Sequence, residues 1–386
     1  MRRLLAAGAA ATLALGLAGC GGGAGITGST SLFGSAQGSQ ARMVQIFVAS
    51  TRKDASSGEA SRGAHFAIDA ISIPPGHQPG AIEQPSWGSP SRASHFVVTN
   101  ERKLSTEGFQ RELAAQVSGR VGVSRDVLVY IHGFNTGFDE ARFRLAQIVA
   151  DGNFTGVPVL FTWPSRNQLL AYGSDKESAT ASRDPLEKLL QDLAATPGVG
   201  RVHVLAHSMG TWLAMEALRQ NAIGGHADLG GHMGEVMLAA PDIDLDVFRA
   251  QMARLGGAAR VSVFAAADDR ALSVSATLAG SRQRLGALDL SRKDHVGELL
   301  AMNVRVYDLT KASAGDMFRH GTFAEAPEVV KSIGLQLAEP ARIEGKPSPD
   351  AQAESFVDPG VAEARKAATP LLPGAVETAP LPPAPM

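Results

Sequence analysis

Residues 201–210 read RVHVLAHSMG, and this stretch decides the fold. Val202, Val204, Leu205 and Ala206 have the makeup of a buried strand, and TWLAMEAL, from Thr211 to Leu218, continues at helical spacing. Between them the chain must reverse sharply, which lifts Ser208 above the sheet in a strained turn with its hydroxyl presented: a nucleophile elbow. Small residues are needed on either side of such a serine. Gly210 meets the requirement, and Ala206 stands where glycine is usual.

Upstream, residues 127–135 read VLVYIHGFN. Five apolar or aromatic residues predict a central strand ending at His132 and Gly133, with a helix to follow over 138–149. Acyl transfer builds negative charge on a carbonyl oxygen, and two backbone N–H groups aimed at that point stabilise it. The expected donors are the N–H groups of Phe134 and Met209. Gly133 allows close backbone approach, and Asn135 braces the loop or donates in its place.

A serine needs a base, and the base an orienting acid. His207 is adjacent to Ser208 in the elbow, so its ring points away from the hydroxyl and is expected to pack or line the site. Behind an elbow of this kind the partners follow in the order acid, then histidine. Strands are predicted at 235–240 (EVMLAA), 260–265 (RVSVFA) and 303–307 (NVRVY), separated by helical segments. That alternation describes an α/β fold: a mostly parallel, doubly wound sheet with helices on both faces. Asp269 stands at the carboxyl end of the second strand after the elbow and is the first choice for the acid. Asp268 and Asp242 are its rivals, Asp242 also suiting the cap of the next helix. His226 and His232 sit in a Gly-rich connection and His295 in a charged stretch, which leaves His320, after the last strand, as the base.

From Met43 to Leu337 the sequence resembles an uncharacterised bacterial α/β-hydrolase family, often exported lipoproteins, the domain of unknown function 900 type. The residues that carry the resemblance are VQIFVASTR at 44–52, SIPP at 72–75, the HGFN loop, FTWPS at 161–165, AHSMG, AAPDID, DDRAL and His320. The resemblance implies the α/β-hydrolase fold and a triad of Ser208, Asp269 and His320. The AHSMG form is also similar to that of small bacterial lipases, which implies an ester hydrolase, esterase or lipase-like, on a small-molecule or lipid ester. An acyltransferase with the same triad and a non-catalytic lipoprotein binding module are the alternatives. Dehalogenase chemistry uses Asp where this chain has Ser208.

At the N-terminus, Arg2 and Arg3 precede an apolar run over 4–17, and LAGC at 17–20 resembles a bacterial lipobox. The run is shorter than the ~20 residues of a membrane span. A signal peptide over 1–19, lipidation of Cys20 and a bacterial cell-envelope location are expected. Gly21 after the cysteine implies, by resemblance, the outer membrane facing the periplasm. The single cysteine excludes an intrachain disulfide. Residues 20–41, rich in Gly, Ser and Ala, read as a tether, 42–338 as the catalytic domain and 339–386, crowded with Pro and Ala, as a disordered tail.

Lys plus Arg number 36 against 38 Asp plus Glu, so no basic field invites nucleic acid. No His/Cys/Asp ligand spacing implies a metal, and no cofactor is expected. Residues 55–91 are expected to form a long connection, and 163–183, including Trp163, a partial lid or pocket wall over Ser208.

Overall fold

The computed structural model describes residues 41–54, 58–278, 282–312, 320–338 and 354–355. Cys20, the signal segment, the tether and nearly all of the tail lie outside these residues. Ten strands among them form one mixed, mostly parallel sheet in the order β10-β9-β8-β7-β6-β4-β5-β1-β2-β3. They are β1 (Arg42–Arg52), β2 (Ala60–Ile73), β3 (Val97–Leu104), β4 (Val127–Ile131), β5 (Val157–Thr162), β6 (Val202–His207), β7 (Met233–Ala239), β8 (Arg260–Ala265), β9 (Val304–Asp308) and β10 (Glu354–Ser355).

Covered on both faces, β4 is apolar throughout rather than alternating, and β6 departs from that pattern only at the buried His203 and at His207 at its end. Successive side chains then feed two cores. Val127, Val129 and Ile131 pack beneath α1 (Thr106–Ser118), α4 (Arg183–Ala195), α5 (Met209–Ile223) and α6 (Leu245–Leu255). Leu128 and Tyr130 face α2 (Phe138–Asp151), α9 (Thr322–Glu325) and α10 (Pro327–Ala338) on the other side.

The expected connection over 55–91 is corrected in part. Ala60–Ile73 is a 14-residue strand that pairs antiparallel with both β1 and β3. An aspartate in the middle of the run obscures it in sequence; Asp69 is fully buried and is matched by Arg142 of α2 at 3.2 Å. The segment 163–183 likewise holds α3 (Tyr172–Ala181).

The sheet order also locates the site. The chain leaves β4 for its neighbour β5 and then crosses back to β6 on the other side. Winding reverses there, and the crevice outside the carboxyl ends of β4 and β6 is where such sheets place ligands. HGFN and Ser208 follow those two ends.

Candidate active site

Ser208 joins β6 to α5 with φ 53° and ψ −125°, a conformation that costs a residue with a Cβ about 1–3 kcal/mol. The surroundings enforce it. Its N–H donates to the Ala239 carbonyl (2.9 Å), and its carbonyl accepts from Thr211 N–H (3.0 Å), Thr211 Oγ1 (2.6 Å) and Asp242 N–H (3.3 Å). A Cβ on Gly210 would stand 2.3 Å from the His132 carbonyl oxygen, so the elbow closes only over glycine there. The methyl of Ala206, by contrast, is absorbed into the core.

Asp269 ends the turn between β8 and α7 (Arg270–Leu278) and is fully buried. One carboxylate oxygen accepts the Leu272 N–H at 2.9 Å, and the other accepts His320 Nδ1–H at 2.7 Å. With Nδ1 committed to the acid, the neutral His320 ring carries its lone pair on Nε2, the nitrogen suited to take a proton. His320 also meets the elbow directly. His207 Nε2–H donates to the His320 carbonyl at 3.1 Å, and the two rings lie 4.7 Å apart. Burial, and then the neighbouring His320, hold His207 well below the usual imidazole range, so it stays a neutral donor stacked on Phe323.

The loop after β4 presses against the serine. A Cβ on Gly133 would lie 2.9 Å from Ser208 Cβ and 2.9 Å from His207 Nδ1. Asn135 takes a left-handed φ of 57°, and Phe134, half-buried, meets Tyr172 edge-on at 5.5 Å. Met209 opens α5 and is buried, its N–H among those at a helix start without an intrahelical partner.

With this geometry in hand, one comparison decides the family. The profile described as "Alpha/beta hydrolase of unknown function (DUF900)" matches residues 105–338, more than half of the chain. The chain belongs to this family. No curated protein matches it.

In this α/β-hydrolase the two rival acids are engaged elsewhere or exposed. Asp268 is exposed at the surface. Asp242 is buried, and its carboxylate accepts Tyr172 OH (2.8 Å) and Ser275 Oγ (2.6 Å) and pairs with Arg284 Nε (3.2 Å). Burial, followed by the Asp242 charge, pushes the Tyr172 phenol up to about 12, so it serves as a neutral donor. Nor does Asp242 cap the next helix. Asp244 does, accepting the N–H groups of Asp246 and Val247.

Two residues expected at the pocket are corrected. His132 and Trp163 are both fully buried. Trp163 Nε1–H donates to the His132 carbonyl at 2.9 Å and its ring stacks on the imidazole at 5.2 Å, beneath the loop rather than at its mouth. Burial and then the charge of Arg52 push the His132 pKa down to about 3. Sequence reasoning missed Tyr172, Ser275, Arg284, Arg52 and Thr162 as neighbours of the site. Arg52 and Thr162 fall within the stretches that carry the family resemblance, and Tyr172 within the segment expected to overhang Ser208; Ser275 and Arg284 left no signal.

A cleft of about 550 Å³ opens among Thr51, Phe66, Ser182 and Lys188. It flanks β1, three strands from β6 and so roughly 14 Å across the sheet, and is not the space above Ser208. Among the described residues no group of three or more His, Cys, Asp or Glu could hold a metal ion.

Proposed function

We propose that this α/β-hydrolase is a serine esterase or lipase-like enzyme that cleaves carboxylic esters of small molecules or lipids through an acyl-enzyme at Ser208. His320 takes the Ser208 proton as Oγ attacks the ester carbonyl, and Asp269 orients and stabilises the imidazolium. The N–H groups of Phe134 and Met209 receive the oxyanion. The proton on His320 then passes to the departing alkoxide as the C–O bond breaks. Water, deprotonated by the same ring, releases the acid and restores Ser208.

The observation that carries this reading is the 2.7 Å bond from His320 Nδ1 to a buried carboxylate, beside a serine held at positive φ. A formal net charge of −2 provides no long-range field, which favours neutral substrates. A fluorophosphonate reagent is expected to label the wild-type chain on the peptide containing Ser208 and Met209, and p-nitrophenyl esters of graded chain length to be hydrolysed. Labelling that persists in Ser208→Ala would move the nucleophile elsewhere.

The proposal extends to location. The lipobox-like LAGC supports acylation of Cys20 and retention at the cell envelope, with residues 20–41 as the tether.

A further inference from the structure

Arg52 closes β1 and is buried, yet it sits on the far side of β5 from the β4 loop that carries the expected oxyanion donor. Its guanidinium reaches two segments of the carboxyl edge, the loop after β4 and the end of β5 with the residues that follow it. Nη2 donates to the Thr136 carbonyl (3.0 Å), Nη1 to the Ser165 carbonyl (2.9 Å) and Nε to Thr162 Oγ1 (2.9 Å). Burial, only partly offset by the charge of Asp175, lowers its pKa to about 10, which leaves it a cation at neutral pH.

The third contact sets a direction. Arginine only donates, so Thr162 Oγ1 accepts from it and keeps its single hydrogen available for His132 Nε2, 3.0 Å away. Trp163 N–H also points at that nitrogen, at 3.3 Å. Nε2 is therefore the acceptor, and the neutral ring carries its hydrogen on Nδ1, 2.9 Å from the Gly133 carbonyl oxygen. In a planar trans peptide the carbonyl of one residue and the N–H of the next point in opposite directions. Drawing the Gly133 oxygen down to the buried ring turns the Phe134 N–H the other way, out of the peptide that abuts Ser208.

We propose that Arg52 and Thr162 are positioning residues that lock the tautomer of His132 and thereby aim the Phe134 N–H at the oxyanion, an inference that rests on the reading of Ser208 as nucleophile. The relay runs in one sense only: guanidinium to hydroxyl, hydroxyl to imidazole, imidazole to carbonyl. Reversing any member leaves two donors or two acceptors face to face in a buried space.

Thr162→Val removes the hydroxyl while keeping a branched side chain suited to a strand, and Thr162→Ser restores it. In Thr162→Val, kcat should fall about 10- to 100-fold with KM within about twofold, short of the loss of a whole oxyanion donor. Affinity for a trifluoromethyl ketone, which presents an oxyanion, should fall by the same factor, and Thr162→Ser should recover most of both. Nitrogen-15 chemical shifts of His132 should report Nδ1 protonation in wild type and Thr162→Ser, and a shift toward the Nε2–H form in Thr162→Val. If Thr162→Val does not fold, His132→Asn, which keeps a donor near the Nδ1 position, should retain more kcat than His132→Leu. Unchanged inhibitor affinity together with an unchanged tautomer in Thr162→Val overturns the relay, as does equal loss in His132→Asn and His132→Leu. A wild-type chain that neither hydrolyses esters nor captures fluorophosphonate overturns the reading of Ser208 instead, and the tautomer measurement still judges the relay.

Discussion

Two buried aspartates stand at the carboxyl ends of adjacent strands, and their surroundings give them different work. Asp269 offers its second oxygen to His320, whereas Asp242 is saturated by Tyr172, Ser275 and Arg284. Asp269→Asn keeps the shape but cannot hold the imidazole in the productive tautomer; kcat on an ester should fall about 10⁴-fold. Its melting temperature should move little. Asp242→Asn behaves in the opposite way, because it strands the charge of Arg284, which is only 3% exposed. Removing one partner of a buried ion pair costs about 3–5 kcal/mol, enough to lower the melting temperature by several degrees. Below that temperature Asp242→Asn should retain kcat within about tenfold, since the bond it makes to Ser208 comes from its backbone N–H. An inactive Asp242→Asn beside an active Asp269→Asn would reassign the acid.

Among the elements, the connection between β2 and β3 is tied down by one imidazole. His77 Nδ1 meets Glu83 at 2.9 Å and Nε2 meets Asp151, at the end of α2, at 3.0 Å. Asp151 also accepts Gly80 N–H (2.8 Å) and Gln147 Nε2 (2.7 Å), and Gln147 reaches the Ala324 carbonyl (3.1 Å). Gly80 lies so close to α9 that a Cβ there would stand 2.1 Å from the Glu325 oxygen, with Arg144 bridging Gly80 and Glu325. The connection thus braces the segment that follows His320. Burial alone would lower the His77 pKa, but its hydrogen bonds to Asp151 and Glu83 raise it above 6.5; Asp151, which burial would raise, is held below 3.8 by His77. A raised histidine contributes its full stability below its unfolded value and loses it as pH rises through the folded one. A depressed carboxylate contributes above its unfolded value and loses it as pH falls. The melting-temperature gap between wild type and His77→Gln should therefore be widest between about pH 4 and 6.5 and narrow toward pH 9. A gap that does not vary with pH would show that His77 acts only by packing.

Across the whole molecule, the sheet gathers residues from β1 to the segment beyond β9 onto one edge, so the site depends on the complete fold rather than on any local unit. Its attachment is a separate matter, resting on residues before the described domain. Among the described residues no helix is long and apolar enough to cross a membrane. If Cys20 carries the lipid, Cys20→Ser with the signal segment otherwise intact should abolish incorporation of a fatty-acid analogue and move the protein out of the membrane fraction. Undiminished incorporation in that variant would end the lipoprotein proposal.

The sequence by itself determined the strand–turn–helix at Ser208, the loop after β4, the βα alternation and a short set of candidate acids and bases. Those features are local: hydrophobic period, turn glycine and chain order are written within a few residues of one another. It did not reveal β2, where a buried aspartate breaks the apolar alternation and is tolerated only because Arg142, 73 residues away, comes to meet it. It ranked Asp269 ahead of Asp242 by chain order alone, since both follow strands and both precede helices. Only the tertiary structure brought His320 across 51 residues to one of them and Tyr172 across 70 to the other. Likewise Trp163 and His132 read as pocket residues until packing placed them under the loop, with Arg52 reaching Thr162 from 110 residues away. Hydrogen bonds between side chains this far apart leave no periodic trace in the chain, because their geometry is fixed by sheet order and helix packing rather than by neighbours in sequence.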